Sequence, residues 1–362
     1  MIVKDEESVI RRCLSCCHSL FDEIIIVDTG STDKTKNICL EFTDKVYDFK
    51  WINDFSKARN FGIEKCSCDY FMWLDADDVI TEENLKKLIK LKSEIADEDI
   101  FMLKYDIAFD EQNKPTYSYF RERILKNNKK YLFSDPVHEA ITLEGKIVFK
   151  EISIEHRKIK ETPSGRNLKI YESLNKKDFS PRQIYYYARE LYFNNKINKA
   201  ITYFKKFLKT KDGFYENKID ACKILSKCYL IKKETDKARE VLFNSFNYDL
   251  PRAEILCEIG YLYKNIKDFG RAIYYFNLAT MSKIDKNNLA FCELDYYNYI
   301  PYLELCVCYY YTNNLRRSLY YNNLAKQIKP KSEIVLNNER FLKKILKNKN
   351  KLWYNLVNER NN

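Results

Sequence analysis

The chain has 362 residues, of which 45% are hydrophobic and 32% charged, and its formal net charge is +11. These values exclude collagen-like, disordered and membrane-spanning classes, and the length suffices for about two domains. The charge is distributed unevenly, because residues 1–160 carry a net charge of −5 and residues 161–362 a net charge of +16. This asymmetry predicts two modules with different partners.

The compartment is predicted from the cysteines and from the apolar segments. No stretch approaches the roughly 18 apolar residues of a membrane-spanning helix, and the start lacks the features of a secretory signal. The sequence therefore predicts a cytoplasmic protein whose 12 cysteines are reduced. Cys13, Cys16 and Cys17 precede His18, but they share one predicted helical face with Val9. No second ligand pair completes a zinc site, so a packed helix is favoured.

Strand-like and helix-like segments alternate through the first 80 residues. Buried strands are predicted over residues 23–27 and 70–74, and helices over residues 8–20, over residues 34–42 and from Phe55 onward. This alternation predicts an α/β domain with a mostly parallel sheet whose two faces are covered. In such a domain, ligands bind beyond the carboxyl ends of the strands.

Both predicted strands end in acidic turns, which begin at Asp28 and at Asp75. In the second turn, Asp75, Asp77 and Asp78 repel one another unless a cation lies between them. A hard divalent ion that shares oxygen ligands with phosphates would neutralise them, so we predict a metal–diphosphate site. A helix N-cap is the alternative; it accounts for Asp78 and Thr81 but not for two further carboxylates so closely spaced. Asp28 alone is equally consistent with capping its own turn.

Four segments of the first 80 residues resemble, in the correct order, the signatures of family 2 glycosyltransferases with the GT-A fold. The resemblance continues into two later segments and then into the helices. Within the family, the chain resembles the bacterial branch in which tetratricopeptide-like helices follow that domain. This branch includes the sublancin-type peptide S-glycosyltransferases. The segments are Met1–Glu7, Asp22–Asp33, Phe55–Asn60, Trp73–Asp78, Val137–Glu139 and Ile154–His156.

The resemblance implies roles for single residues. Asp28 matches an aspartate that meets the uracil or ribose of a nucleotide sugar, and Arg59 matches a residue near the diphosphate. Asp75 and Asp77 match the Asp-x-Asp pair, in which Asp77 would be the direct ligand of Mn²⁺ or Mg²⁺. His156 matches a histidine that completes the metal site. Further donor-binding positions implied in the same way are Val3, Glu6 and Ala76.

Family 2 enzymes invert the anomeric centre in a single displacement, so the resemblance also implies one carboxylate base that faces the acceptor. Glu139 is the candidate, because it lies late in the domain, where the base of the family lies. Asp135 is the second choice, because Pro136 is expected to hold its backbone extended. The alternative for Glu139 is an exposed charge that pairs with Arg121 or Arg123. For His138, the sequence supports a structural role and a functional role equally.

Beyond residue 160 the pattern favours helices. Small residues accompanied by aromatic residues recur at roughly tetratricopeptide spacing, at Ala200, Ala238, Ala272 and Ser318. Pro330 follows the last of them, where such repeats usually stop. Helical hairpins of this kind stack into a solenoid with a concave binding face.

Together with the resemblance, these patterns predict a GT-A α/β domain over residues 1–160 and an all-α tetratricopeptide-like domain over residues 161–362. The expected activity is metal-dependent, inverting transfer of a hexose from a UDP-sugar to a Cys, Ser or Thr side chain of a peptide or protein. The basic repeats would dock the acceptor, and a homodimer contact through them is considered. Transfer to a lipopolysaccharide or cell-wall intermediate and a non-catalytic nucleotide-binding scaffold are the alternatives. No nucleic-acid partner is expected, because no RNA-binding signature occurs.

Overall fold

The computed structural model describes residues 1–159, 165–284, 289 and 291–359, with side chains up to residue 348. The chain divides into two compact units, of which the first runs from Met1 to Phe214 and takes in residues 289, 291 and 292. The second begins at Tyr215. The predicted boundary after residue 160 lies outside the described residues and stays a prediction. The three helices between residues 166 and 208 pack with the first unit rather than with the second.

The first unit combines strands with helices. Its strands are Ile2–Val3 (β1), Ile26–Asp28 (β2), Val46–Asp48 (β3), Tyr70–Met72 (β4), Asp78–Val79 (β5), Ile100–Phe109 (β6), Pro115–Lys126 (β7), Phe133–Ser134 (β8), Ala140–Ile141 (β9) and Ile147–His156 (β10). Its helices are Ile10–Cys17 (α1), Thr35–Leu40 (α2), Phe55–Lys65 (α3), Glu82–Glu94 (α4), Arg166–Ser173 (α5), Pro181–Phe193 (α6) and Ile197–Leu208 (α7).

The strands form one parallel and one mixed sheet. Strands β1, β2 and β3 are parallel neighbours in that order. In the second sheet, β10 is parallel to β6, whereas β7 is antiparallel to both β6 and β4, and β5 is antiparallel to β10. The prediction of a mostly parallel sheet is therefore wrong for this part. The short turn between β6 and β7 explains the difference, because a parallel pair needs a long crossover connection.

Local residue choices account for the predicted helices of this unit. Helix α1 buries Cys13 and Cys17, and the thiols of Cys16 and Cys17 donate to the carbonyl oxygen of Cys13. This confirms the packed helix. Helix α3 begins after Asp54, whose carboxylate accepts the backbone N–H of Lys57 at 3.0 Å and caps the helix.

The second unit is helical. Its helices are Tyr215–Ile231 (α8), Thr235–Asn244 (α9), Ala253–Asn265 (α10), Phe269–Met281 (α11), Tyr299–Tyr311 (α12), Leu315–Ile328 (α13) and Glu333–Glu359 (α14). A short strand, Cys292–Glu293 (β11), follows α11 in the chain, and its Cys292 belongs to the first unit, so strands do not end before the helical repeats as the pattern suggested. None of the described helices is both long and apolar enough to cross a bilayer.

The repeated small residues occupy equivalent places in helical hairpins. Ala200, Ala238, Ala272 and Ser318 lie in α7, α9, α11 and α13, and each has 0% of its surface exposed. Their small side chains permit close approach of the preceding helix of each hairpin. Gly260 in α10 shows the same constraint, because a Cβ atom there would lie 2.7 Å from the ring of Phe276 in α11. The predicted helical repeats are therefore confirmed.

Candidate functional site

Residues at or just beyond the carboxyl ends of β1, β2, β4 and β10 line one cavity of about 530 Å³. An α/β sheet binds ligands at this edge because the strand ends leave polar backbone groups and loops there. Six of the predicted site residues line the cavity, namely Val3, Glu6, Asp75, Ala76, Asp77 and His156. The structure thus brings together residues that are widely separated in the sequence.

One group of side chains on this cavity could hold a metal ion. Ligand atoms of Asp77, Asp78 and His156 all lie within 4.8 Å of one another. The Nδ1 atom of His156 is 3.2 Å from Oδ1 of Asp77 and 3.6 Å from Oδ1 of Asp78. Two carboxylates and an imidazole form a donor set that fits a divalent cation such as Mn²⁺. Burial alone would lower the pKa of His156, but hydrogen bonds to the two carboxylates raise it to about 10.

Asp78 is fully buried in β5, where it lies opposite His156 in the antiparallel pair with β10. Its Oδ2 atom accepts from Nη1 of Arg123 at 3.0 Å and from the backbone N–H of Asp75 at 2.9 Å. Its Oδ1 atom accepts the hydroxyl of Tyr105 at 2.8 Å. The N-cap interpretation is therefore wrong for Asp78.

Thr81 is the cap, because its hydroxyl accepts the backbone N–H of Asn84 at the start of α4. Sequence reasoning missed Asp78, Tyr105 and Arg123 as members of the site. Local pattern gives no signal for them, because Arg123 ends the charged run Arg121–Arg123 and Tyr105 lies between Lys104 and Asp106.

The ion pair between Arg123 and Asp78 yields a prediction for stability. Both side chains are fully buried, and the guanidinium carbon lies 3.8 Å from the ring centroid of Trp73. Arg123→Met leaves the Asp78 charge without its partner, so we expect the free energy of unfolding to fall by about 3–5 kcal/mol. Urea unfolding followed by circular dichroism measures this loss.

Arg11→Met is the matched control, because Arg11 and its partner Glu41 are both exposed and an exposed pair contributes little. An equal change of the unfolding midpoint in the two variants would contradict the role assigned to the buried pair.

Arg59 joins two carboxylates that are distant in the sequence. Its Nη2 atom donates to Oδ1 of Asp75 and its Nε atom to Oε1 of Glu139, both at 2.7 Å. The guanidinium also lies 4.8 Å from the ring centroid of Trp73. Burial alone would raise the pKa of Asp75, but the charges of Arg59 and Arg123 hold it well below its usual range. Asp75 is thus held as an anion at the cavity wall.

Glu139 is mostly buried, with 13% of its side chain exposed. The alternative of an exposed charge paired with Arg121 or Arg123 is wrong. Arg123 pairs with Asp78, and Arg121 pairs with Glu122 and reaches only the backbone carbonyl of Glu139. Arg59 holds the Glu139 carboxylate instead.

Asp135 and His138 face helix α6. The φ angle of Asp135 is +69°, so the extended backbone expected from Pro136 is wrong, because the tight turn between β8 and β9 overrides that preference. The Asp135 carboxylate lies 3.6 Å from Nε of Arg182, and burial raises its pKa. His138 stacks on Tyr186 with 4.3 Å between ring centroids, and its Nε2 atom is 2.9 Å from the Glu190 carboxylate. These contacts favour a structural role for His138.

Asp28 at the end of β2 has one satisfied and one unsatisfied oxygen. Its Oδ1 atom accepts the backbone N–H groups of Gly30 and Ser31, both at 2.7 Å. Its Oδ2 atom is buried and has no hydrogen-bond partner among the described residues. Thr29 and Val3, which adjoin Asp28 along the chain and across the sheet, line the cavity. The turn therefore holds a fixed acceptor near the cavity without a donor for it.

Comparison with known proteins finds a family match for the first part of the chain and several relatives. Residues 1–155 match the family described as Glycosyl transferase family 2. The chain is 30% identical over 243 residues to the SPbeta prophage-derived glycosyltransferase SunS of Bacillus subtilis. This alignment covers 62% of this chain and 56% of that protein. It is 32% identical over 142 residues to a TPR repeat-containing protein of Synechococcus elongatus. That alignment covers 39% of this chain and 34% of the other protein.

The chain thus spans about half or less of the length of these curated relatives. Among solved structures, the C-terminal part of a TPR repeat-containing protein from Cytophaga hutchinsonii covers 49% of this chain and 65% of its own, with a TM-score of 0.40 and 16% identity. The family match spans the strands that surround the cavity and ends one residue before His156. Residues 1–155 are a family 2 glycosyltransferase domain, and helical hairpins follow it in the chain.

Proposed function

We propose that this protein transfers a hexose from a UDP-sugar to a Cys, Ser or Thr side chain of a peptide or protein, with inversion and with a divalent metal ion. One observation carries the proposal. Asp77 and His156 of the metal group line the same cavity as Asp75, and Asp75 is joined through Arg59 to Glu139. A metal site, a diphosphate site and a carboxylate base are the three parts that such a transfer requires.

The metal ion would be held by Asp77 and His156 at the cavity surface, with Asp78 behind them. The ion, Mn²⁺ or Mg²⁺, would supply positive charge for the departing diphosphate. Arg123 and Tyr105 hold the Asp78 carboxylate in its orientation through hydrogen bonds of 3.0 and 2.8 Å. Such outer contacts fix the geometry of metal ligands.

Glu139 would accept the proton of the acceptor as it attacks the sugar. A single inverting displacement needs a base on the side of the sugar opposite to the leaving group. Glu139 is favoured over Asp135 because it shares the Arg59 guanidinium with Asp75, whereas the Asp135 carboxylate faces Arg182. Removal of that proton leaves the acceptor sulfur or oxygen with the electron pair that forms the new glycosidic bond.

The acceptor is assigned from the resemblance and from charge. The resemblance to the peptide S-glycosyltransferase branch favours a polypeptide, and the net charge of +16 over residues 161–362 would attract an acidic or extended peptide. Self-association through the helical repeats stays a prediction. Transfer of a labelled hexose to peptides that differ only in Cys, Ser or Thr would identify the acceptor atom.

The unsatisfied oxygen of Asp28 supports uracil as the base of the donor. The imide N–H of uracil can donate to it, whereas cytosine presents an acceptor at the same ring position. We expect UDP to bind at least about tenfold more tightly than CDP in the presence of Mn²⁺, and Asp28→Ala to remove most of this preference. Calorimetry with both nucleotides measures it, and hydrolysis of a panel of UDP-hexoses with Mn²⁺ or with EDTA identifies the donor.

Asp44→Ala is the control for the nucleotide measurements, because Asp44 is exposed and does not line the cavity. Equal binding of UDP and CDP by the wild-type protein would contradict the UDP-sugar assignment. Binding of UDP without metal-dependent turnover of any UDP-hexose would instead favour the non-catalytic scaffold.

A further inference from the structure

Arg166 is a cavity residue that comes from outside the family 2 domain. It is the first residue of α5, whereas the family match ends at residue 155. Its side chain lines the same cavity as Asp75, Asp77 and His156, and all four residues belong to the first compact unit. A helix that follows the glycosyltransferase domain thus adds a cation to the proposed donor site.

The guanidinium of Arg166 is positioned by an aromatic ring rather than by a carboxylate. Its central carbon lies 4.8 Å from the ring centroid of Phe55, a cation–π contact with another cavity residue. Its Nε atom donates to Oδ1 of Asn167 at 3.3 Å. Among the described residues, no carboxylate lies within ion-pairing distance of it, although Glu139, Glu190 and Glu6 are near enough to act on its charge.

Two arginines that contact the acidic turn, Arg59 and Arg123, differ from Arg166 in this respect. Arg59 is engaged by Asp75 and Glu139, and Arg123 is engaged by Asp78. Their charges are therefore already offset by carboxylates of the protein. An exposed guanidinium without such a carboxylate retains donors for a ligand, and its planar fork matches the oxygens of a phosphate group.

A diphosphate needs such a cation in this cavity. The wall already carries Asp5, Glu6, Asp75 and Asp77, so a donor that adds further negative charge is repelled unless cations face it. Besides His156 of the metal group, the basic side chains on the wall are Lys4, Lys158 and Arg166. Of these three, only arginine can donate two parallel hydrogen bonds from a rigid plane.

We propose that Arg166 is a donor-binding residue that donates hydrogen bonds to the diphosphate of the nucleotide sugar. The inference rests on the proposed function and extends it, because the donor site then includes a residue from the first helix beyond the matched domain. Arg166 would offset charge on the diphosphate both before and after the bond to the sugar breaks.

The test compares UDP with uridine, which lacks the diphosphate. Arg166→Met should weaken UDP binding in the presence of Mn²⁺ by about tenfold to hundredfold and change uridine binding by less than about twofold, since only the charge-assisted hydrogen bonds are lost. The affinity of Arg166→Lys for UDP should lie between those of the wild-type protein and Arg166→Met, because lysine keeps the charge but lacks the planar guanidinium. Calorimetry measures UDP, and ligand-observed NMR measures uridine.

Lys169→Met is the matched control, because Lys169 is exposed one turn later in α5 and does not line the cavity. It should bind UDP as the wild-type protein does. Arg166→Gln serves in the same comparison if the methionine variant loses its native circular dichroism spectrum.

The outcomes separate this inference from the proposed function. Wild-type affinity for UDP in the Arg166 variants would overturn the inference alone, and so would an equal loss of UDP and uridine binding, which indicates a distorted cavity. Absence of UDP binding by the wild-type protein would overturn the proposed function as well.

Discussion

Asp77→Asn is expected to lower metal-dependent turnover of UDP-sugars by about 10²- to 10³-fold or more. Asp77 lies on the cavity wall, and its Oδ1 atom is 3.2 Å from Nδ1 of His156. The amide keeps the shape of the side chain but removes its negative charge, so a divalent ion loses an anionic ligand next to the imidazole. Turnover is measured as release of UDP over a titration with Mn²⁺, and higher Mn²⁺ should recover part of the loss.

Asp236→Asn is the control for this variant. Asp236 is an exposed residue of α9, where it pairs with Arg239, so the same change of charge occurs outside the first unit. Both variants should keep the native circular dichroism spectrum. Full activity of Asp77→Asn would contradict metal-dependent glycosyl transfer in this cavity.

Glu139→Gln is expected to lower kcat for transfer to the acceptor by about 10²- to 10⁴-fold, the usual contribution of a general base. The KM for the donor should change much less, because Arg59 keeps its hydrogen bond of 2.7 Å to Asp75. The acidic limb of the pH–rate profile should disappear, since glutamine cannot be protonated in the relevant range. Steady-state kinetics with a saturating acceptor measure all three effects.

Asp135→Asn distinguishes the two candidates for the base. If Asp135 acts as the base, its variant loses kcat and the pH limb, while Glu139→Gln keeps both. Glu144→Gln controls for loss of one negative charge, because Glu144 is exposed and pairs with Lys130. A donor KM that rises in proportion to the loss of kcat in Glu139→Gln would indicate that Glu139 positions Arg59 instead.

The parts of the site that follow from local pattern were predictable from the sequence. A buried strand followed by carboxylates places Asp75 and Asp77 at a strand end, and such a turn needs no knowledge of distant residues. The small residues Ala200, Ala238 and Ala272 repeat because each hairpin needs close helix packing, and all three are fully buried. Periodicity along the chain is sufficient for both inferences.

The rest depends on pairings that local pattern does not encode. Whether β6 and β7 run antiparallel is decided by the turn between them, so alternation of strands and helices did not predict the mixed sheet. Asp78 looked like a helix cap because the residues that hold it, Arg123 and Tyr105, come from later strands. The backbone of Asp135 follows its turn rather than the preference of a residue before proline.

The pairing of β5 with β10 also determines when the proposed metal site can exist. Asp78 and His156 are register partners in this antiparallel pair, although residues 79–155 lie between them in the sequence. The imidazole therefore reaches the carboxylates only when the last long strand has joined the sheet, and contacts between residues so far apart in the sequence are slow to form. An ion bound there would hold the two strands together, so its binding energy would add to the stability of the completed first unit. Metal binding would then indicate that the domain has folded, because only the folded domain brings the carboxylate of Asp78 and the imidazole of His156 together.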